Sequence, residues 1–267
     1  MSGQRLQDRV AIVTGSSQGI GREICNQFFL EGALLVCADL RPLGQGEDVA
    51  THEWILQKGG KATFVEVDVS KAESWKTLIA KTVEMYGKLD IVVNNAGICS
   101  EARNPQPIDQ VDEHAFDAHM RINARGVFLG SKYSVQQFLR QEPRANGMRG
   151  WIVNFASMVS NVGMQGLTGY TASKGAVSAM TRTIALDVAK KGIVANSIAP
   201  GFSQTAMLDD ALGGALSEAA EGVKAAIPRS IFGHPLDHAR AAVYLASDDA
   251  QWVTGITLNV DGGLTAQ

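Results

Sequence analysis

Short apolar runs and longer amphipathic stretches alternate along most of this chain. A β-branched run at 10–14, VAIVT, gives way to a glycine-rich turn, and 21–30 then carries apolar residues at helical spacing. A second run at 34–38 ends on Asp39, a third at 64–67 ends on Asp68, and a fourth at 91–93 ends on Asn94 and Asn95. Further runs lie at 151–155 and 193–198, and stretches such as 70–86, 114–140 and 170–190 repeat with helical period. Short apolar strands alternating with helices of ten or more residues predict βαβ units and a parallel sheet. The runs are nearly continuous rather than alternating, as expected where helices cover both faces of the sheet. The reading is an α/β fold, one doubly wound parallel sheet in a single domain over 1–267, with no linker and no repeat. Ligands of such sheets sit beyond the carboxyl ends of the strands, which is where the glycines and polar residues gather here.

Composition narrows the function classes. At 267 residues, 45% hydrophobic and 19% charged, the chain is long enough to bury a sizeable core. The net charge is −3 and the basic residues are scattered, which gives no support for a nucleic-acid or membrane partner. Three cysteines, Cys25, Cys37 and Cys99, form neither a disulfide framework nor a zinc-ligand spacing, so no metal is expected. Cys25 and Cys37 sit in apolar runs and read as small buried hydrophobes. No stretch reaches transmembrane length, and MSGQRLQDRV lacks the apolar core of a secretory signal. The expectation is a cytoplasmic protein that acts on a small molecule.

The turn after the first strand reads TGSSQGIG, Thr14 to Gly21. Glycines between a strand and a helix allow a tight turn and close backbone approach, and a helix N-terminus favours a pyrophosphate. The loop predicts dinucleotide contacts from Gly15, Ser17, Gln18, Gly19, Ile20 and Gly21, although its GxxxGxG spacing differs from GxGxxG. Asp39 follows the second strand, 24 positions after Gly15, with Leu40 beside it. A carboxylate there accepts hydrogen bonds from a ribose 2′-hydroxyl and repels a 2′-phosphate, which favours NAD(H) over NADP(H). Arg41 argues the other way, since a nearby arginine accommodates that phosphate, but the loop itself holds no cation.

TGSSQGIG, NNAG at Asn94 to Gly97, Ser157, YTASK at Tyr170 to Lys174 and PG at Pro200–Gly201 follow one another in order. In this the chain resembles the classical short-chain dehydrogenase/reductase (SDR) family from about Val10 to Gly263. The resemblance implies a Rossmann-type sheet of about seven strands, the last at 255–260. It also implies a catalytic tetrad of Asn123, Ser157, Tyr170 and Lys174. Asp68 and Val69 fall where the family holds adenine, and Asn95, Ala96 and Gly97 where it lines the cofactor ribose. Pro200, Gly201, Ser203 and Thr205 fall at the nicotinamide end. Two departures stand out: Val194-Ala195-Asn196 replaces a frequent Arg-Val-Asn, and Ser203 replaces a frequent Ile or Val.

The chemistry of these residue types suits an alcohol–ketone oxidoreductase. A free tyrosine has a pKa of about 10, and a nearby lysine cation favours its phenolate. Residues at i and i+4 share a helix face, so the helix holds Lys174 beside Tyr170. Ser157, just past a strand end, is placed to hydrogen-bond the substrate oxygen. The resemblance gives Asn123 the task of positioning a water that links the lysine to solvent.

The segment 202–231, with Gly213-Gly214 and many alanines, falls where the family carries a substrate lid. Cys99, Met158, Val159, Met164 and Met207 are the candidate pocket residues. They predict an apolar, adaptable pocket for a hydrophobic or polycyclic alcohol or ketone. His114 and His119 read as helix-surface residues, and Asn94 as a brace for neighbouring backbone. Competing readings are an NADP(H)-dependent carbonyl, imine or enone reductase, a catalytically silent nucleotide-sensing regulator, and a structural protein. Family resemblance further implies a homotetramer or homodimer built on the 170–190 helix and the C-terminal strand.

Overall fold

The computed structural model describes residues 4–213 and 217–266, so Gly214 of the expected lid lies outside the described residues. Seven strands form one sheet: β1 (Val10–Thr14), β2 (Leu34–Asp39), β3 (Ala62–Glu66), β4 (Ile91–Asn94), β5 (Gly150–Phe155), β6 (Ile193–Pro200) and β7 (Thr257–Val260). Their order is β3-β2-β1-β4-β5-β6-β7, and every neighbouring pair is parallel. The expected Rossmann-type sheet is therefore the observed one.

Both faces are covered. One face of the sheet, including Ala11, Val13, Ile91, Val93 and Trp151, packs against α1 (Gly19–Leu30) and α9 (Pro235–Leu245) through Ile24, Phe28, Ala242 and Val243. The opposite face, including Ile12, Val36, Val92 and Ile152, packs against α3 (Ala72–Tyr86), α5 (Arg125–Phe138) and α6 (Thr168–Val188) through Trp75, Leu78, Leu129, Phe138 and Val188. Cys25 and Cys37 are fully enclosed in the first layer, as their apolar setting predicts. Short helices α2 (Thr51–Gln57), α4 (Glu113–His119), α7 (Ala206–Leu212) and α8 (Glu218–Ala226) complete the described α-helices.

The apolar stretch at 114–140 is not one helix. A π-helical turn at Met120–Ala124 separates α4 from α5 and contains the buried Asn123. Such turns insert one residue into the ladder and often occur at functional sites. Successive strands run outward from β1 to β3, and the chain then returns to place β4 on the other side of β1. The carboxyl ends of β1 and β4 thus diverge into a crevice, the place where doubly wound sheets bind ligands. Thr14 ties those two ends together: its Oγ1 donates to the Val93 carbonyl at 3.2 Å and accepts from Asn95 N and Ala96 N at 3.0 and 3.1 Å.

Candidate active site

The glycine loop lies at the mouth of this crevice. Gly15 and Gly19 adopt φ of +66° and +56°, a region that side chains disfavour. A methyl group on Gly21 would lie 2.0 Å from the Gly15 carbonyl oxygen and 2.5 Å from Asn95 Nδ2, so the loop closes this tightly only with glycine there. Asn95 Nδ2 donates to the carbonyls of Thr14 and Gly15, fixing the loop to the end of β4. Asp39 accepts from Ser17 N at 3.0 Å and Leu40 N at 2.7 Å, so its carboxylate stands against the loop. A tight backbone cradle at a helix N-terminus, followed by a carboxylate at the next strand end, fits a dinucleotide pyrophosphate and ribose.

Asn123, Ser157, Tyr170 and Lys174 converge where β4 and β5 end. Ser157 opens a 3-10 turn whose Ser160 Oγ accepts from Ser157 N at 3.3 Å and donates to the Lys174 carbonyl at 2.8 Å. Lys174 is buried on α6, and its Nζ donates to the Phe155 carbonyl at 2.7 Å while standing 5.9 Å from the Tyr170 ring centre. Gly97 fits between Asn123 and Lys174: a methyl there would lie 3.1 Å from Asn123 Oδ1 and 3.4 Å from Lys174 Nζ. Asn123 Oδ1 accepts from Ile98 N at 2.8 Å, and its Nδ2 donates to the Ile98 carbonyl and to Ser173 Oγ. The amide hydrogens are thus committed to protein partners. They brace the Ile98 main chain and Ser173 at the strand end.

The electrostatics differ from the expectation for the tyrosine. Burial pushes Lys174 down to about 8, with the Cys99 thiol as a smaller opposing influence. Tyr170 is raised above its ordinary value rather than lowered. Burial is the main cause, the neighbouring Cys99 acts in the same direction, and the Ser157 hydroxyl acts in the opposite direction. The expected lowering does not occur, because the cost of burying the phenolate exceeds what the Ser157 hydroxyl returns. Burial also moves the Cys99 thiol up to about 11, which keeps it protonated at neutral pH.

One cavity of about 990 Å³ joins the two regions. Every expected cofactor residue lines it, from Gly15 through Asp39, Asp68 and Asn95 to Thr205, together with Ser157, Tyr170 and Lys174. Cys99, Met158, Val159, Met164 and Met207 line it as well, joined by Leu167, Leu208, Leu212 and Val223. Asn123 does not line it and stands behind Gly97. The Asn94 side chain bonds Asn154 Oδ1 at 2.8 Å and Ser131 Oγ at 3.4 Å, so it braces side chains rather than backbone. His114 is exposed as expected. His119 is not a surface residue: it is fully buried beside the Tyr170 ring, 6.0 Å between centres, because α4 turns that flank toward α6. Glu101 carries site contacts that no local motif announces. Among the described residues no cluster of metal-ligating groups and no membrane-spanning helix occurs.

The sheet, the phosphate cradle and the tyrosine–lysine pair define a nicotinamide-dependent oxidoreductase of the doubly wound class. A family model described as enoyl-(acyl carrier protein) reductase matches residues 15–265. Glucose 1-dehydrogenase 2 of Bacillus subtilis is 37% identical over 261 residues, 97% of this chain and 96% of that protein. Cyclopentanol dehydrogenase of Comamonas testosteroni is 33% identical over 265 residues, 98% of this chain and 99% of that protein. The crystal structure of levodione reductase matches with a TM-score of 0.89 at 30% identity, over 98% of this chain and 99% of that one. A structure from Agrobacterium tumefaciens with bound NADP matches with a TM-score of 0.85 at 32% identity over 100% of both chains. The chain belongs to the short-chain dehydrogenase/reductase family, whose members act on alcohol and ketone groups with a nicotinamide cofactor.

Proposed function

We propose that this protein is an NAD(H)-dependent oxidoreductase that interconverts a secondary alcohol and a ketone on a neutral, hydrophobic substrate. The observation that carries the reading is one continuous cavity with Asp39 and the glycine loop at one end and Ser157, Tyr170 and Lys174 at the other. When bound, the nicotinamide supplies hydride to the carbonyl carbon in reduction or removes it from the alcohol carbon in oxidation. Tyr170 gives its phenol proton to the substrate oxygen in reduction and takes it back in oxidation. A raised phenol pKa supports the acid role, since the group holds its proton until the oxygen becomes basic. Ser157 hydrogen-bonds the same oxygen as charge develops on it. Lys174 places its ammonium beside the phenol, held by the Phe155 carbonyl.

Cofactor preference rests on Asp39, whose carboxylate faces the loop that would hold the ribose and repels a 2′-phosphate. The bound NADP of the Agrobacterium structure belongs to that protein. The substrate class rests on the lining. At the chemical end the only cation of the cavity wall among the described residues is Lys174, already bonded to Phe155, so a substrate carboxylate or phosphate finds no counter-charge. The described parts of 202–231 act as the lid, with α7 and α8 bringing Met207, Leu208, Leu212 and Val223 over the cavity. Exposed Leu186 on α6, at 81%, and Trp252 near β7, at 96%, support self-association through those elements.

The test is absorbance at the NADH band across neutral, acidic and phosphorylated alcohols and ketones, with NAD(H) and NADP(H) in parallel. Turnover of neutral alicyclic pairs with NAD(H) supports the reading. No turnover of any pair, with NADH binding retained, would favour the nucleotide-sensing alternative.

A further inference from the structure

The helix that carries Tyr170 and Lys174 lacks an N-terminal cap of its own. Its flanking residue is Leu167, which offers no side-chain acceptor, and its first turn holds no acid. Two of its leading N–H groups are nevertheless satisfied, by a carboxylate almost seventy positions earlier in the chain. Glu101 Oε1 accepts from Gly169 N at 2.9 Å, and Oε2 accepts from Tyr170 N at 2.8 Å. Glu101 is only 8% exposed, so this is an internal charge set against the positive end of a helix.

The surroundings make that arrangement specific. Glu101 sits in the 3-10 turn Ser100–Arg103, which follows directly from the Ile98 main chain clamped by Asn123. His119 lies between this turn and the tyrosine. Its Nδ1 is 2.8 Å from the Ala115 carbonyl and its Nε2 accepts from Ser100 N at 3.2 Å. A carbonyl on one nitrogen and an N–H on the other fix the neutral Nδ1–H tautomer. That N–H stands 4.0 Å from Glu101 Oε2, and the ring meets the Tyr170 ring edge-on at 72°. Gly169 permits the approach: a methyl there would lie 3.0 Å from Glu101 Oε1 and 3.2 Å from His119 Nδ1.

We propose that Glu101 is a positioning residue for the alcohol–ketone chemistry. It anchors the main chain of Tyr170 at the start of α6, while His119 supports the ring from the side. A misplacement of about 1 Å at a reacting group can cost a hundredfold in rate, so a carboxylate that accepts a hydrogen bond from the tyrosine's own backbone N–H has leverage on turnover. This inference rests on the proposed role of Tyr170, and its test separates the two.

Glu101→Gln keeps the size of the side chain but sets an amide N–H against one of the two helix N–H groups, of Gly169 or Tyr170. Gly169→Ala keeps the carboxylate but crowds it, together with the Phe116 main chain and His119, with a methyl, a second route to the same defect if the first variant does not fold. The assay is oxidation of cyclopentanol and of cyclopentanol deuterated at the carbinol carbon, with NADH binding measured by fluorescence. Each variant should lose roughly 10- to 100-fold in kcat, with KM and NADH affinity within about threefold of the parent. The deuterium isotope effect on kcat should rise as the chemical step becomes rate-limiting. A lowered melting temperature with parental kcat and isotope effect per NADH-binding site would show a purely structural cap and overturn the proposal. Full turnover in Tyr170→Phe would instead overturn the reading of the site on which the proposal rests.

Discussion

The Ser160 hydroxyl donates a 2.8 Å hydrogen bond to the Lys174 carbonyl. That bond ties the turn presenting Ser157 to the helix presenting Tyr170 and Lys174, so the substrate-facing hydroxyl and the proton donor move as one unit. The same Ser160 oxygen accepts from Ser157 N, closing the turn on itself. Ser160→Ala should therefore lower kcat by roughly 5- to 10-fold, on the order of 1 kcal/mol for the loss of these two half-buried hydrogen bonds. NADH affinity should stay unchanged, because the cradle is at the other end of the cavity. Steady-state kinetics with fluorescence titration checks both halves.

Gly21→Ala should act at the opposite end. The added methyl collides with the Gly15 carbonyl oxygen and Asn95 Nδ2, and both belong to the loop's own scaffold. NADH affinity should fall at least 10-fold, while kcat at saturating cofactor changes little. An unchanged dissociation constant by fluorescence titration would show that the loop has room the structure denies.

Asp39→Ala removes the carboxylate that faces the loop from the end of β2. The ratio of kcat/KM for NAD to that for NADP should fall at least 10-fold, chiefly through improved use of NADP once the repulsion is gone. Parallel assays with the two cofactors on one alcohol give the ratio directly.

Lys174 makes stability depend on pH. Its pKa is lowered by burial from the ordinary 10.5 to about 8. Below about pH 8 both the folded and unfolded chains carry the proton, and the cost of the buried charge is fully present. Between about 8 and 10.5 only the unfolded chain holds it, so stability rises with pH, by at most about 1.4 kcal/mol per pH unit. Urea unfolding of the parent and of Lys174→Met across that window should show the parent gaining on the variant. A difference that stays flat with pH would contradict the buried charge.

Much of this site was legible in the chain because its parts lie at the ends of continuous apolar runs. Strands buried on both faces leave little ambiguity, so Asp39, Asn95 and Ser157 could be placed at carboxyl ends from pattern alone. The i, i+4 spacing likewise paired Tyr170 with Lys174. What escaped was set by contacts between distant segments. Glu101 and His119 meet Tyr170 across intervals of 69 and 51 positions, and nothing local marks either as buried. The π turn at Met120–Ala124 breaks a stretch whose hydrophobic period looks unbroken, since one inserted residue barely disturbs it. The direction of the tyrosine shift was lost for a related reason: spacing shows the lysine, but only packing shows that burial raises the phenol.

The most direct test of the central claim is Tyr170→Phe, followed by NADH absorbance in single turnover and by NADH fluorescence on the same sample. The substitution removes one hydroxyl and leaves the glycine cradle, Asp39 and Lys174 intact. Turnover should fall by about 100- to 10,000-fold, the range of a lost general acid, with NADH affinity within about twofold of the parent. Turnover within tenfold of the parent, at the same NADH affinity, would contradict the assignment of Tyr170 as the proton donor.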